Sequence, residues 1–286
     1  MDTNNCEFNP IANMIDLVSI FSNFANFWFT GTQSESSEIF SINPSAPPQG
    51  IEISSNSMTI YSDATDTLSS FQTLGTLTFQ NLSSQNKLET AYFQLTTPTS
   101  QSWRMLEAVL SNGNDYFLIN IPFDQSIPQE FRTNGDSRIQ IDCQETITRS
   151  TEQSWNIQRQ IQLSPYTITK VSFQAKLKKV KRDFTFYFDV TGNLGVRTSK
   201  TVNGKTEHFI PVTEVMKWTE YPQIDINFEY NRLRCHNLGE YKAEYYVDPI
   251  LLVETQSVTN PALMQQTVIP IFNIISAVPS KCKSFE

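Results

Sequence analysis

The chain has 286 residues, a formal net charge of -8, 39% apolar residues, 17% charged residues and 12% aromatic residues. An acidic balance of this kind argues against a nucleic-acid binder, which normally presents a basic face. No run of 18 apolar residues exists to build a membrane-spanning helix, and the abundance of Ser, Thr, Asn, Gln and aromatics is the palette of strands rather than helix bundles.

Charge is unevenly placed. No Lys or Arg precedes Lys87, and residues 1–86 carry eight acids, whereas the remaining 200 residues carry 21 acids and 21 bases. This marks 1–86 as an acidic N-terminal region distinct from 87–286. Four cysteines, Cys6, Cys143, Cys235 and Cys282, lie far apart without a CxxC pair, so zinc or iron–sulfur ligation is not expected and the thiols read as free and mostly buried. No metal or other cofactor is expected.

Asn9-Pro10 is a helix-start signal. Met14, Leu17, Val18, Phe21, Phe24 and Trp28 follow at spacings of three and four, which predicts a helix from about Pro10 to Trp28, either packed on a sheet or contacting a membrane or receptor. The same segment lacks a basic n-region and is interrupted by polar residues, so it does not read as a secretory signal. A soluble protein leaving its cell by a non-obvious route is the expectation. Residues 31–50 read as a proline-rich loop, and short strands are predicted near 51–53, 58–61, 74–79 and 88–96. Asn81-Leu82-Ser83 is a glycosylation sequon.

Ser111-Asn112-Gly113-Asn114 is a turn signal. It precedes the most apolar short run of the central region, Tyr116 to Phe123, and a polar loop to Ser137. From Ile139 to Leu163 every even position is non-apolar, while Ile139, Ile141, Cys143, Ile147, Trp155, Ile157, Ile161 and Leu163 occupy odd positions. Unbroken period-2 alternation is the signature of a half-buried strand, here one that would span about 80 Å and imply an elongated protein.

Val171, Phe173, Ala175 and Leu177 continue alternation on odd positions; Phe184, Phe186, Phe188 and Val190 alternate on even ones. Between them lie Lys176, Lys178, Lys179, Lys181 and Arg182. Residues 168 to 197 therefore read as two paired strands joined by a basic loop, with a turn at Thr191–Gly195. The basic loop is either a solvated hairpin end or a contact for membrane phosphates. Further strands are predicted at Ile224–Tyr230, Tyr241–Val247 and across the apolar, proline-bounded segment Val268–Val278.

Catalytic signatures are sparse. The two histidines are His208 and His236, and no nucleophile elbow, P-loop or HExxH occurs. Cys235 and His236 are adjacent, and adjacent residues on a strand point to opposite faces, so they would not form a catalytic pair. The chain reads as a non-enzyme.

Strands that alternate apolar and polar residues serve either a soluble sheet or a transmembrane barrel whose polar face lines a lumen. Thr148 to Gly195, about a sixth of the chain, resembles the core of the aerolysin-like β-pore-forming proteins, in particular the epsilon-toxin and mosquitocidal-toxin group. The matching residues are Ser154-Trp155, Ser164-Pro165-Tyr166-Thr167, Val171-Ser172-Phe173, and the glycines Gly192 and Gly195. The chain departs from that pattern in its Lys-rich segment, its lack of a recognisable signal peptide and its N-terminal region.

The resemblance implies a mainly β, elongated protein of long twisted antiparallel strands with a short N-terminal helix. Residues 1–86 would hold a receptor-binding part, and 87–286 would form the pore-forming module. Such a protein binds a target cell membrane through a receptor (glycan, lipid or protein) and forms a homo-oligomer. It then inserts an amphipathic hairpin, here about 111–137, with Tyr116, Phe117, Leu118, Ile119, Ile121 and Phe123 against lipid. Pro122 would fit the tip, since it removes a ladder donor. The alternative is a non-lytic, β-rich binding or structural protein of the same architecture.

Overall fold

The computed structural model describes residues 13–30, 37–39, 51–54, 58–60, 65–110, 116–120, 138–142, 146–217 and 220–271. In chain order the elements are β1 (Asn13–Asp16), α1 (Leu17–Thr30), β2 (Ser37–Ile39), β3 (Ile51–Ser54), β4 (Met58–Ile60), β5 (Thr65–Asn81), β6 (Lys87–Leu110) and β7 (Tyr116–Asn120). They continue as β8 (Arg138–Asp142), β9 (Ile147–Leu163), β10 (Thr167–Val202), β11 (Lys205–Pro211), α2 (Val212–Met216), β12 (Ile224–Asn227), β13 (Arg232–Ser257) and β14 (Met264–Pro270). The mainly β, long-stranded architecture expected from alternation is what the chain adopts. No described helix is long and apolar enough to cross a membrane, a statement that does not bear on crossing by strands.

The sheet is organised around β10, a single strand of 36 residues. One edge pairs antiparallel with β13 from Thr167↔Ser257 to Thr191↔Arg232. The other edge carries β5, then β4, β3 and β2, all antiparallel to it. The fall in acidity at residue 86 lies between β5 and β6, and strands from both sides share this sheet. The predicted hairpin with a basic loop is therefore corrected: 167–202 is one continuous strand.

The misreading has a physical cause. Odd residues of β10 are buried up to Ala175, including Val171 and Phe173, and even residues from Val180 onward, including Phe184, Phe186 and Phe188. In an unbroken strand, odd and even residues occupy opposite faces, so the core passes from one face of the sheet to the other. The partner strands absorb the change with bulges. In β13 the pairing shifts between Ile250 and Val247, where Asp248 takes φ 52. The basic residues lie at the crossover, where neither face is fully covered. The predicted turn at 191–195 is likewise strand. Gly192, at φ 99, marks the point where β10 leaves β13 and takes β11 as its neighbour, beginning with Asn193↔Pro211.

Three cores follow. At one end α1 packs Leu17, Phe21, Ala25 and Phe29, spaced by four, against Leu194, Val196 and Val212. This helix starts at Leu17 rather than Pro10. Asn13–Asp16 pairs parallel with β6 instead, and Asp16 caps the helix by accepting from Val18 N at 2.9 Å and Ser19 Oγ at 2.7 Å. A middle core gathers Trp103, Met105, Phe184 and Tyr241. At the far end β6 and β9 pair with each other from Lys87↔Leu163 to Trp103↔Ile147. They form a two-stranded leaf laid over the β5–β10–β13–β14 sheet, with Phe93, Trp155, Ile157 and Ile161 facing Val171, Phe173 and Leu251.

Other expectations are adjusted by the strand bounds. Predicted strands at 74–79 and 88–96 lie inside the much longer β5 and β6. The 224–230 strand stops at Asn227, where residues 228–231 turn into β13. The last strand is Met264–Pro270 on the β13 edge, Ile271 after it is buried in the far-end core, and residues 272–278 lie beyond the described residues.

Candidate membrane-insertion site

The alternating segment 139–163 is divided between two sheets. Ile139 and Ile141 belong to β8, which pairs with β7 in a separate two-stranded sheet. Ile147, Trp155, Ile157 and Ile161 belong to β9 in the leaf. The β7–β8 register runs Tyr116↔Asp142, Phe117↔Ile141, Leu118↔Gln140, Ile119↔Ile139 and Asn120↔Arg138. One parity of this ladder is apolar throughout (Phe117, Ile119, Ile139, Ile141). The other combines Tyr116, Leu118 and Asn120 with Asp142, Gln140 and Arg138. The ladder is thus amphipathic at the period of a strand. It is nested inside the connection from β6 to β9. Tyr116, Phe117, Leu118 and Ile119 lie on it; Ile121, Phe123 and Pro122 fall outside the described residues.

The leaf that leads into the hairpin presents mostly polar residues outward, with Leu88 and Tyr92 exposed among them, and buries a neutral polar cluster inward. Trp155 Nε1 donates to Thr97 Oγ1 at 2.8 Å. Thr99 Oγ1 donates to Thr151 O at 3.0 Å and lies 2.6 Å from Thr151 Oγ1. Thr97, Thr99 and Gln153 are all buried, and each has a partner, as buried polar groups require. Sequence reasoning passed over Gln153. Its signal was its place on the apolar parity, two residues before Trp155.

The basic residues singled out by sequence are distributed over both faces of β10, each against a carboxylate. Lys176 meets Asp248 at 3.1 Å and Lys179 meets Glu244 at 2.9 Å. Asp66 takes both Lys178 at 2.9 Å and Arg182 at 3.1 Å, and its hydrogen bond holds the Lys178 pKa above the ordinary lysine value. Lys181 meets Glu240, which also takes Arg104 and Lys242, each at 2.8 Å. Glu240 is buried. Burial alone would raise its pKa, but hydrogen bonds from Lys181 and Lys242 and the charge of Arg104 outweigh this and bring it down to about 2. Further along, Asp189 is held below its ordinary value by a two-pronged contact with Arg234 at 2.8 and 3.0 Å.

Two smaller readings are settled by position. Cys235 is buried in the helix-end core, where burial pushes its thiol well up. His236 faces outward and meets Asp225 at 2.8 Å, so the two do not pair. The Asn81 of the sequon is buried, and its Nδ2 donates to Gln85 O, Leu163 O and Ser164 O at 2.8, 3.2 and 3.0 Å. The atom a glycan would occupy is thus a hub tying the β5–β6 turn to the end of β9. No group of three or more His, Cys, Asp or Glu among the described residues is arranged to hold a metal.

The helix end presents exposed aromatics: Phe27, Trp28, Phe209, Phe228 and Tyr230. Beside them an open cavity of about 470 Å³ is lined by Met216, Lys217, Glu220, Tyr221, Pro222, Ile224, Ile226 and Phe228.

No family model matches the sequence, and no curated protein matches it. Solved structures do. A chain of the Cry23Aa1–Cry37Aa1 binary protein complex superposes with a TM-score of 0.64 at 12% identity, covering 90% of this chain and 96% of that one. A non-toxic crystal protein from Bacillus thuringiensis gives 0.58 at 14%, covering 86% and 98%. The Mpp75Aa1.1 beta-pore-forming protein from Brevibacillus laterosporus gives 0.57 at 13%, covering 90% and 96%. At these identities the likeness is one of fold, over nearly the whole length of both partners: the chain shares the long-stranded β architecture of these proteins.

Proposed function

We propose that the protein binds a target cell surface, assembles into a homo-oligomer and inserts the β7–β8 hairpin, residues about 111–137 with its flanking strands, to build a transmembrane β-barrel. The observation that carries this reading is the amphipathic β7–β8 ladder nested between two of the longest strands of the sheet. A hairpin with one apolar and one polar parity supplies a lipid face and a lumen face, and closing hairpins from several copies leaves no unpaired edge in lipid. Phe117 and Ile119 on the apolar parity, with Ile121 and Phe123 beyond the described residues, are the proposed lipid contacts, while Tyr116 and Leu118 share the parity of Asp142 and Gln140 and would face the lumen. The aromatic helix end with its cavity is the proposed receptor contact, and the apolar, proline-bounded segment Val268–Pro279 the proposed activation latch. The basic residues of β10 are assigned to the sheet's ion pairs rather than to lipid phosphate.

A second reading, a non-lytic binding protein, is favoured by one specific observation: the same fold is found in a crystal protein described as non-toxic. Calcein release from liposomes and target cells, with SDS-resistant oligomers on a gel, separates the two. Release and oligomers, before or after trypsin treatment, support insertion; absence of both after proteolysis rejects it. A disulfide joining the Tyr116–Phe123 segment to the adjacent sheet should block release while leaving cell binding intact, with recovery on reduction.

A further inference from the structure

The leaf and the body sheet share β6. From Leu238↔Glu107 to Glu244↔Ser100 this strand pairs with β13. Beyond Ser100 it parts from β13 and runs with β9 alone. The place of this fork is written in two residues. Glu244 stands opposite Ser100, so in the same register the next residue of matching parity, Tyr246, would stand opposite Pro98. The backbone N–H and C=O of Tyr246 point to this edge of β13, so this would be a hydrogen-bonded rung, requiring an N–H from residue 98. Proline has none.

Tyr246 is not left open. The Gln153 side chain reaches across from β9: its Nε2 donates to Tyr246 O at 3.3 Å, and its Oε1 accepts from Tyr246 N at 3.3 Å. Both backbone groups of Tyr246 are satisfied by one carboxamide, which carries the same donor and acceptor as a peptide unit. Gln153 is only 3% exposed. Past the fork the β13 edge is taken up again by β14, from Ile250↔Pro270.

We propose that Pro98 and Gln153 form the latch of the β6–β9 leaf: Pro98 ends the ladder to β13, and the Gln153 carboxamide takes the place of the missing rung. The leaf is thereby held to the body at this point by a reversible side-chain contact, and it opens here when the hairpin deploys. Gln153 is a positioning residue and touches no lipid. The deployment half of this inference rests on the pore-forming reading; the latch half does not.

The test joins hydrogen exchange with dye release on the full-length protein. Gln153→Met keeps the volume and removes both hydrogen bonds; Gln153→Asn keeps the amide on a stem too short to reach. Either should speed exchange at Tyr246 at least tenfold while residues 235–243 keep their protection, and should quicken calcein release several-fold. Pro98→Thr, which restores a donor for the rung, should slow release. Unchanged exchange at Tyr246 in whichever Gln153 variant folds overturns the latch. Faster exchange with wild-type release rates in all variants overturns its role in deployment. If the wild type releases no dye, the pore-forming reading falls, and exchange at Tyr246 still decides the latch.

Discussion

The two long pairings of this molecule are held in different ways. Along β10–β13 a backbone ladder of more than twenty residue pairs is overlaid by charge: Glu240 between Arg104, Lys181 and Lys242, and Asp189 between Arg232 and Arg234. Between the β6–β9 leaf and the sheet beneath it there is no such ladder past Ser100. The two layers meet through side chains, with Trp155 edge-on to Phe173 at 5.1 Å and Phe93 at 5.9 Å from the same ring, and through neutral hydrogen bonds. Splitting the first pairing breaks a row of backbone bonds at once. Peeling the second exposes an apolar layer and a few uncharged polar contacts. The leaf leads into the candidate hairpin, so the separable layer lies where a conformational change would need it.

The largest expected effects probe the cores that each pairing protects. A Cβ placed on Gly239 would lie 2.1 Å from Phe184 Cζ, and Phe184 is fully buried. Gly239→Ala should cost about 3 kcal/mol in urea unfolding, and Phe184→Leu in the same chain should return part of it. In the leaf, Trp155→Ala should cost about 3–5 kcal/mol and raise exchange in β6 and β9 more than in β10 and β13. Equal loss of protection in both regions would mean that leaf and body unfold as one unit.

Acid should separate the two regions next. The folded pKa of Glu240 lies below its ordinary 4.5, at about 2. Its contribution is therefore complete above the ordinary carboxylate range and is lost as pH falls towards 2, a loss of at most about 3 kcal/mol. Glu240→Gln should flatten the stability profile between pH 5 and 2, whereas Thr99→Val in the leaf should leave its slope unchanged and cost about 1 kcal/mol at every pH. The smallest effect belongs to the exposed His236–Asp225 contact. Asp225→Asn should change stability by less than about 0.5 kcal/mol, measured by the same unfolding curves.

Much of the candidate site was legible in the chain. The apolar run at Tyr116–Ile119 and the alternation at Ile139 and Ile141 were both visible, and the structure joins them in one hairpin. The join itself was not, because Phe117 and Ile141 are far apart in sequence and a register is a non-local fact. Gln153 and Asn81 were missed for a related reason. A polar residue on a core-facing parity, or inside a sequon, reveals its role only when its partner carbonyls are known.

Local alternation determined by itself that the chain is built of long half-buried strands and where their polar faces run, because side-chain direction in a strand depends only on residue parity. Composition placed an apolar run, Tyr116–Phe123, ahead of the Ser-Trp strand. Tertiary structure decided what parity cannot express. The odd-to-even change between Ala175 and Val180 is a core crossing the sheet rather than a turn, since a turn and a change of covered face leave the same trace in sequence. Gly192 sits inside a strand that exchanges neighbours, although its sequence is that of a turn. The ladder between β6 and β13 stops at Ser100, short of Pro98, because the next rung needs an N–H that proline lacks, and that need exists only once Tyr246 is placed opposite it.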